Sequence, residues 1–498
     1  MIDFSTLNYS ILGAYLLLML LVGLFFAKRQ HSTEDYFLAG RNMPWLPVAM
    51  SMYASLTSAV TYMGLPGLAF ASNVTLIVVA VVSPLLAPLL AFLFYPFYRR
   101  LRVTTSYEYI GLRFGPRART AVAALFLLAR IGWLGLVVYA PAMALSVATG
   151  MSLPLAILLM GLLATAYTVM GGLSAVLWTD VLQFLILIGG AVWVAFTLTT
   201  EVPGGLPGIL RQAASHDHIQ IDARFDLYAM CAPAVFISFF LQMMQDYGTD
   251  QITVQRLLSI RRKSGLLKAV CFNALTDSFI ITVLLFIGLG IFVFYQQAPG
   301  LLPDGLPADR VFPFFIMQQL PNGISGLLIA AIFAAAMSSM DSGLNSVTTV
   351  LVSDMIRPFR RHAAGEQHDV RLSRYITLVI GAVTTGVAFY IARSGNGIIE
   401  NFATFMSLFN APVLALFLLG MLTVRGRFTV WCISVLPAVG VTLLLQHGTR
   451  VNWVYYFPVS FAVSFGVSWM GSMLLPEPED RREYTVWRAR RAGGGGDA

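Results

Sequence analysis

Apolar residues come in long runs along this chain, parted by short polar stretches, and thirteen of the runs are long enough to cross a bilayer. They lie at about 8–27, 45–70, 74–98, 120–147, 153–171, 176–200, 227–250, 269–295, 324–352, 374–392, 398–423, 428–446 and 454–475. Hydrocarbon satisfies no backbone N–H or C=O, so runs of this length predict helices. Polar residues inside the runs are few and grouped. The densest group is in the ninth, GLLIAAIFAAAMSSMDSGLNSVTTVLV (326–352). Ala335, Ser338, Ser339 and Ser342 recur at i, i+3, i+4 and i+7, so they share one helix face, and Asp341 borders it. Small residues with hydroxyl and carbonyl oxygens suit a small hard cation, which takes oxygen ligands. The same row also lets membrane helices pack closely. Asp341 favours the cation reading, because an intramembrane acid is costly and kept for function.

Two runs carry breakers. The second has hydroxyls at Ser51, Ser55, Thr57, Ser58 and Thr61, then Gly64-Leu65-Pro66-Gly67. The seventh is polar from Gln242 to Gln255, with Gly248 in the middle. They lie five runs apart. Interrupted helices at matching positions of two halves point to an inverted-repeat transporter with its site at the midplane. This predicts repeats at about 45–200 and 227–423 inside one transmembrane domain, 1–476, with a helix at 310–320. The polar tail, 477–498, is predicted to be disordered.

With 57% hydrophobic and 11% charged residues, a water-soluble globule is excluded. The net charge of +8 then reflects topology rather than nucleic-acid affinity. With the N-terminus outside, twenty-six of the 32 basic residues fall on the cytoplasmic side, among them Lys28, Arg29, Arg102, Arg113, Arg256, Arg360 and Arg361. Five fall outside, and Arg130 lies within a run. This asymmetry predicts N-out, C-in. Cys231, Cys271 and Cys432 all sit in apolar runs and form no disulfide or zinc pattern. No phosphate loop and no nucleophile–histidine constellation is present, so nothing supports an enzyme. The expected partners are a small solute and the lipid bilayer, with no nucleic acid and no obligate protein partner.

Four stretches together resemble the sodium:solute symporter family: TEDYFLAGRNMPW (33–45), GGLSAVLWTDVLQ (171–183), GTDQITVQR (248–256) and AAIFAAAMSSMDSGLNS (330–346). The resemblance implies an all-α integral membrane protein with a LeuT-type 5+5 inverted repeat. It also implies Na⁺-coupled import of a small polar solute, such as an organic acid, a sugar or a sialic-acid-like molecule, across the plasma (inner) membrane. A passive solute channel and a membrane nutrient sensor are the alternatives. By motif position, Na⁺ would be held by Ala54 and Thr57 on the broken helix and Ala335, Ser338 and Ser339 facing them. A second Na⁺ site of some relatives would map to Asp180, Ser338, Asp341 and Ser342. Asp341 departs from the serine of the sodium/sialic-acid symporters. Two carboxylates there either bind the cation more strongly or share a proton. Asp180 otherwise caps the start of its helix.

The solute is expected between the second, third, fourth and seventh runs, near Ser58, Thr61, Arg130, Gln245, Asp246 and Tyr247. Arg130 suits a carboxylate or else pairs with a buried acid such as Asp277. The sialic-acid symporters place their substrate arginine one turn later, where Trp133 stands, and their glutamine falls at Ala80. Asp246 suits sugar hydroxyls or an amine.

Overall fold

The computed structural model describes residues 5–27, 33–101, 103–357, 366–394, 406–476 and 482–486. Lys28, Arg29, Arg102, Arg360, Arg361 and the first residues of the eleventh run lie outside them. Regular structure among the described residues is helical, apart from one isolated bridge between Met43 and Ile260. The helices used below are α1 Thr6–Ala27, α2 Trp45–Leu56, α3 Ala59–Ala71, α4 Val79–Leu89, α5 Pro116–Thr149, α6 Leu153–Glu201, α7 Ala232–Gly248, α8 Gln251–Ser259, α9 Lys263–Gln297, α10 Ala308–Gln319, α11 Ile324–Val350, α12 Glu366–Ser394 and α13 Ala411–Leu422. The expected helix at 310–320 is α10.

Among the described residues, seven helices are long and apolar enough to cross a membrane. The fifth and sixth runs are helical without interruption as α6, 49 residues, about 74 Å if straight and more than twice a bilayer's apolar thickness. Its two halves pack on different neighbours. Gly161 meets Thr385, and Thr165 meets Gly381, both on α12. Gly190 meets Leu328 and Ala331 of α11. The centre of the molecule is α11, with almost every residue buried. Its all-round apolar and small-residue surface is what a helix enclosed by other helices requires.

The second run is broken at Thr57–Ser58, whose backbone is extended (ψ 93° and 169°). This corrects the placing of a break at Gly64–Gly67, which is helical throughout. Those glycines serve close approach instead. A Cβ on Gly67 would stand 2.5 Å from the backbone oxygen of Ala308. At the true break, Ser55 Oγ bonds back to Ser51 O at 2.6 Å, a contact that competes with regular helix. The seventh run breaks where expected. Thr249 N and Asp250 N both donate to Gln245 O at 2.9 Å, and the Asp250 side chain caps α8 by accepting from Ile252 N at 2.9 Å. The two interrupted helices are pinned together: Met43 N donates to Ser259 O (3.0 Å) and Arg261 N to Met43 O (3.2 Å).

Two sequence expectations change. The tail is not uniformly unstructured, since Thr485 and Val486 are buried and Tyr109 donates to Tyr484 O at 3.2 Å. Arg113 and Arg256 are not free loop charges. Arg113, 3% exposed, donates to the carbonyls of Gly420, Thr423 and Val424 at the end of α13, where a helix C-terminus favours a cation.

Candidate cation and solute site

Breaking a helix frees carbonyls, because the N–H groups four residues on are turned away. Here the freed oxygens are those of Ala54 and Ser55. Both are taken by α11: Ser338 Oγ donates to Ala54 O at 2.6 Å and Ser339 Oγ to Ser55 O at 3.0 Å. Ser338 Oγ also lies 3.1 Å from Ala335 O. Four of the five residues expected around the first Na⁺ thus gather at one point, and all are fully buried. Thr57 closes α2 beside them, its N–H on Tyr53 O at 2.9 Å. The donor set fits Na⁺, since every available atom is a neutral oxygen and the hydroxyls can rotate their lone pairs inward. Ser55, named in the sequence only as a hydroxyl of the broken run, contributes a carbonyl here.

The second expected cluster is also assembled, around Arg256, which the sequence counted only among the cytoplasmic-side charges. Asp180 Oδ2 accepts from Ser51 Oγ (2.5 Å), Ser55 Oγ (3.1 Å) and Arg256 Nη2 (3.1 Å). Arg256 is 1% exposed. It donates further to Ser342 Oγ and, through Nε, to Ser51 Oγ at 2.7 Å. Ser342 Oγ lies 2.8 Å from Ser55 Oγ and 3.2 Å from Asp341 Oδ1. Asp180, Asp341 and Ser342 are therefore joined, with a guanidinium among them. Asp180 is not spent on capping its own helix. Its Oδ1 is buried and accepts no hydrogen bond among the described residues, so one carboxylate oxygen remains open to a cation. The signal for Arg256 lay in GTDQITVQR: a cation ending a polar, uninterrupted stretch of which every helical residue, Gln251–Ser259, is buried.

On the other side of the break lies a cavity of about 160 Å³. Thr57, Ser58 and Thr61 line it from the break, and Gln242, Asp246 and Tyr247 from α7. Asp277 of α9 and the rings of Trp133, Phe239 and Trp453 complete the wall. Ser58, Thr61, Asp246 and Tyr247 thus meet at a pocket as expected, whereas Arg130 and Gln245 are not among its lining residues. Arg130 forms a buried ion pair with Asp250 and lies 4.5 Å over the Trp133 ring. The buried acid that partners it is Asp250 rather than Asp277, because the capping carboxylate of α8 faces α5 directly. Gln245 bridges Asp250 (3.5 Å) and Asn410 (3.3 Å). Asp277 accepts from Tyr247 OH, Ser83 Oγ (2.9 Å) and Asn273 Nδ2 (3.3 Å).

A model of the sodium:solute symporter family matches residues 36–428. The chain belongs to this family. The symporter is 32% identical over 457 residues to the sodium/sialic acid symporter of Proteus mirabilis (strain HI4320), covering 91% of this chain and 92% of that one. It is 31% identical, over 91% of this chain and 90% of the other, to the sodium/sialic acid symporter of Aliivibrio fischeri (strain ATCC 700601 / ES114). Its structure matches a substrate-bound, outward-open Na⁺-coupled sialic acid symporter with TM-score 0.89 at 30% identity, over 96% of this chain and 100% of that one. A nucleobase-cation-symport-1 family transporter shares the fold at TM-score 0.54 and 14% identity, over 90% and 97% of the two chains. The symporter is a multi-pass membrane protein with the fold of Na⁺-coupled transporters, and its activity is Na⁺-coupled symport of a small organic solute.

Proposed function

We propose that Na⁺ binds where α2 ends, in the cage of Ala54, Thr57, Ala335, Ser338 and Ser339, and that its binding draws α2–α3 against α11 and readies the adjoining pocket for solute. The single observation behind this is the pairing of both freed carbonyls, Ala54 and Ser55, with hydroxyls of α11. An ion placed there would share those oxygens and would be lost if the two helices parted. Asp180, Asp341 and Ser342, with Ser338, form the second cation position, shared with Arg256. The solute occupies the pocket lined by Ser58, Thr61, Asp246 and Tyr247. The remaining reading is of thirteen spans in a single domain, 1–476, with inverted repeats of the LeuT type, the N-terminus outside and the C-terminus in the cytoplasm of a plasma-membrane transporter. Import would draw on the Na⁺ gradient and on a membrane potential worth about 2.3 kcal/mol per charge per 100 mV.

The test is stabilisation of the purified protein by Na⁺ against K⁺, followed by uptake into proteoliposomes under an inward Na⁺ gradient. Accumulation above equilibrium that collapses with the gradient is expected. Uptake that only equilibrates, independent of Na⁺, would instead describe a passive pore.

A further inference from the structure

The charge inventory of the pocket is one-sided. Among its lining residues stand two carboxylates, Asp246 and Asp277, and no lysine, arginine or histidine. The two arginines buried nearby are committed elsewhere, Arg130 to Asp250 and Arg256 to Asp180. Asp277 is held by three donors. Asp246 is different: it is partly exposed to the cavity and makes no hydrogen bond or ion pair among the described residues. Ser58 lines the same space at 3% exposure, and its hydroxyl caps nothing. Gln242, 8% exposed, donates one amide N–H to Ser238 at 2.9 Å, and its carbonyl oxygen accepts no hydrogen bond among the described residues. The unfilled polar capacity of the pocket is thus mostly acceptor, and negative.

A carboxylate lining a low-dielectric cavity is compensated by a cation. A neutral polyol would supply hydrogen bonds and leave the charge uncompensated. A carboxylate solute would meet two like charges. The walls allow the same solute, because the rings of Phe239 and Trp453 line the cavity and aromatic rings attract a desolvated cation through their quadrupoles. We infer that the solute moved with Na⁺ carries a cationic amine, seated against Asp246 with Asp277 beside it, in contrast to the acid named for the sialic acid symporters. The inference rests on the symport reading above and adds the class of its solute.

Thermal unfolding of the purified full chain tests it, in Na⁺ and in K⁺. The probes are ethanolamine, spermidine, glucose, pyruvate and N-acetylneuraminate. At least one amine-bearing probe raises the transition temperature in Na⁺ and not in K⁺. Asp246→Asn weakens that probe's affinity by roughly 10- to 100-fold, the scale of one charge-assisted hydrogen bond, while Asp246→Glu retains binding. Stabilisation by glucose, pyruvate or N-acetylneuraminate overturns the inference. So does an amine affinity unchanged in Asp246→Asn, or the absence of any amine response while Na⁺ alone stabilises. If Asp246→Asn is not recovered monodisperse, the probe panel on the unaltered chain decides. Absence of any Na⁺-specific stabilisation would strike the symport reading itself, which keeps the two failures apart.

Discussion

Replacing Arg256 with glutamine should turn this protein's stability into a steep function of Na⁺. Arg256 is 1% exposed and is the ion-pair partner of Asp180, which is completely buried. Removing one member of such a pair leaves an uncompensated charge, at a cost of about 3–5 kcal/mol. The glutamine also removes the guanidinium's hydrogen bonds to Asp180 Oδ2 and to the hydroxyls of Ser51 and Ser342. Together with Asp180 Oδ1, which accepts no hydrogen bond among the described residues, and Ser55 Oγ, these form an all-oxygen cluster on the Asp180 carboxylate, with Asp341 joined to it through Ser342, a setting for Na⁺. Na⁺ at 100 times its dissociation constant would return about 2.7 kcal/mol by mass action, roughly half or more of the loss. The measurement is thermal unfolding followed by intrinsic fluorescence, titrating Na⁺ against K⁺ at constant ionic strength. The variant should melt lower than the parent in K⁺, regain most of the difference in Na⁺, and show a larger Na⁺ increment than the parent. Equal losses in the two salts, or no loss at all, would refute the view that the guanidinium and a cation compete for Asp180.

Ser339→Ala removes a hydroxyl from the first cage and should raise the Na⁺ concentration needed for half-maximal uptake by roughly 10-fold, the scale of one lost polar contact; an unchanged Na⁺ dependence would remove Ser339 from the site. Arg130→Ala should lower stability by about 3–5 kcal/mol through the stranded Asp250 rather than act first on solute affinity; chemical denaturation beside solute titration separates the two, and a normally stable variant with weakened solute binding would return Arg130 to the pocket. Gly67→Ala should lower the unfolding temperature, because the added methyl meets the Ala308 carbonyl at 2.5 Å and overpacking costs about 1–3 kcal/mol; a neutral result would mean that α3 and α10 can separate freely.

What the sequence carried well were features with a local signature. The run lengths announce membrane helices, and the i, i+3, i+4, i+7 spacing put Ala335, Ser338, Ser339 and Ser342 on one face without any structure. The break in the seventh run was legible because Gly248, Thr249 and Asp250 are all poor helix interior residues. The second run misled. Gly64-Leu65-Pro66-Gly67 has the composition of a breaker, yet the true break at Thr57–Ser58 is held by Ser338 and Ser339, nearly 300 residues away, and no local pattern reports a partner so distant. Arg256 was lost for the same reason. It was counted with the cytoplasmic charges at the end of GTDQITVQR, while its acid, Asp180, lies on another helix. For Arg130 the sequence offered a solute carboxylate or a buried acid such as Asp277; the acid it meets is Asp250, whose position depends on how α8 is turned by its own cap.

Thr57 belongs to two addresses at once. It closes α2 beside the oxygens of Ala54 and Ser55, and it also lines the cavity that begins with Ser58. The two proposed sites, divided by a single peptide, would be tuned together. Linkage requires that the factor by which Na⁺ tightens solute binding equal the factor by which solute tightens Na⁺ binding. A substitution at this junction therefore moves both factors together, whichever ligand it touches. On the proposed assignment, coupling would run through this backbone joint at Thr57, and a change there would tighten or loosen the symport.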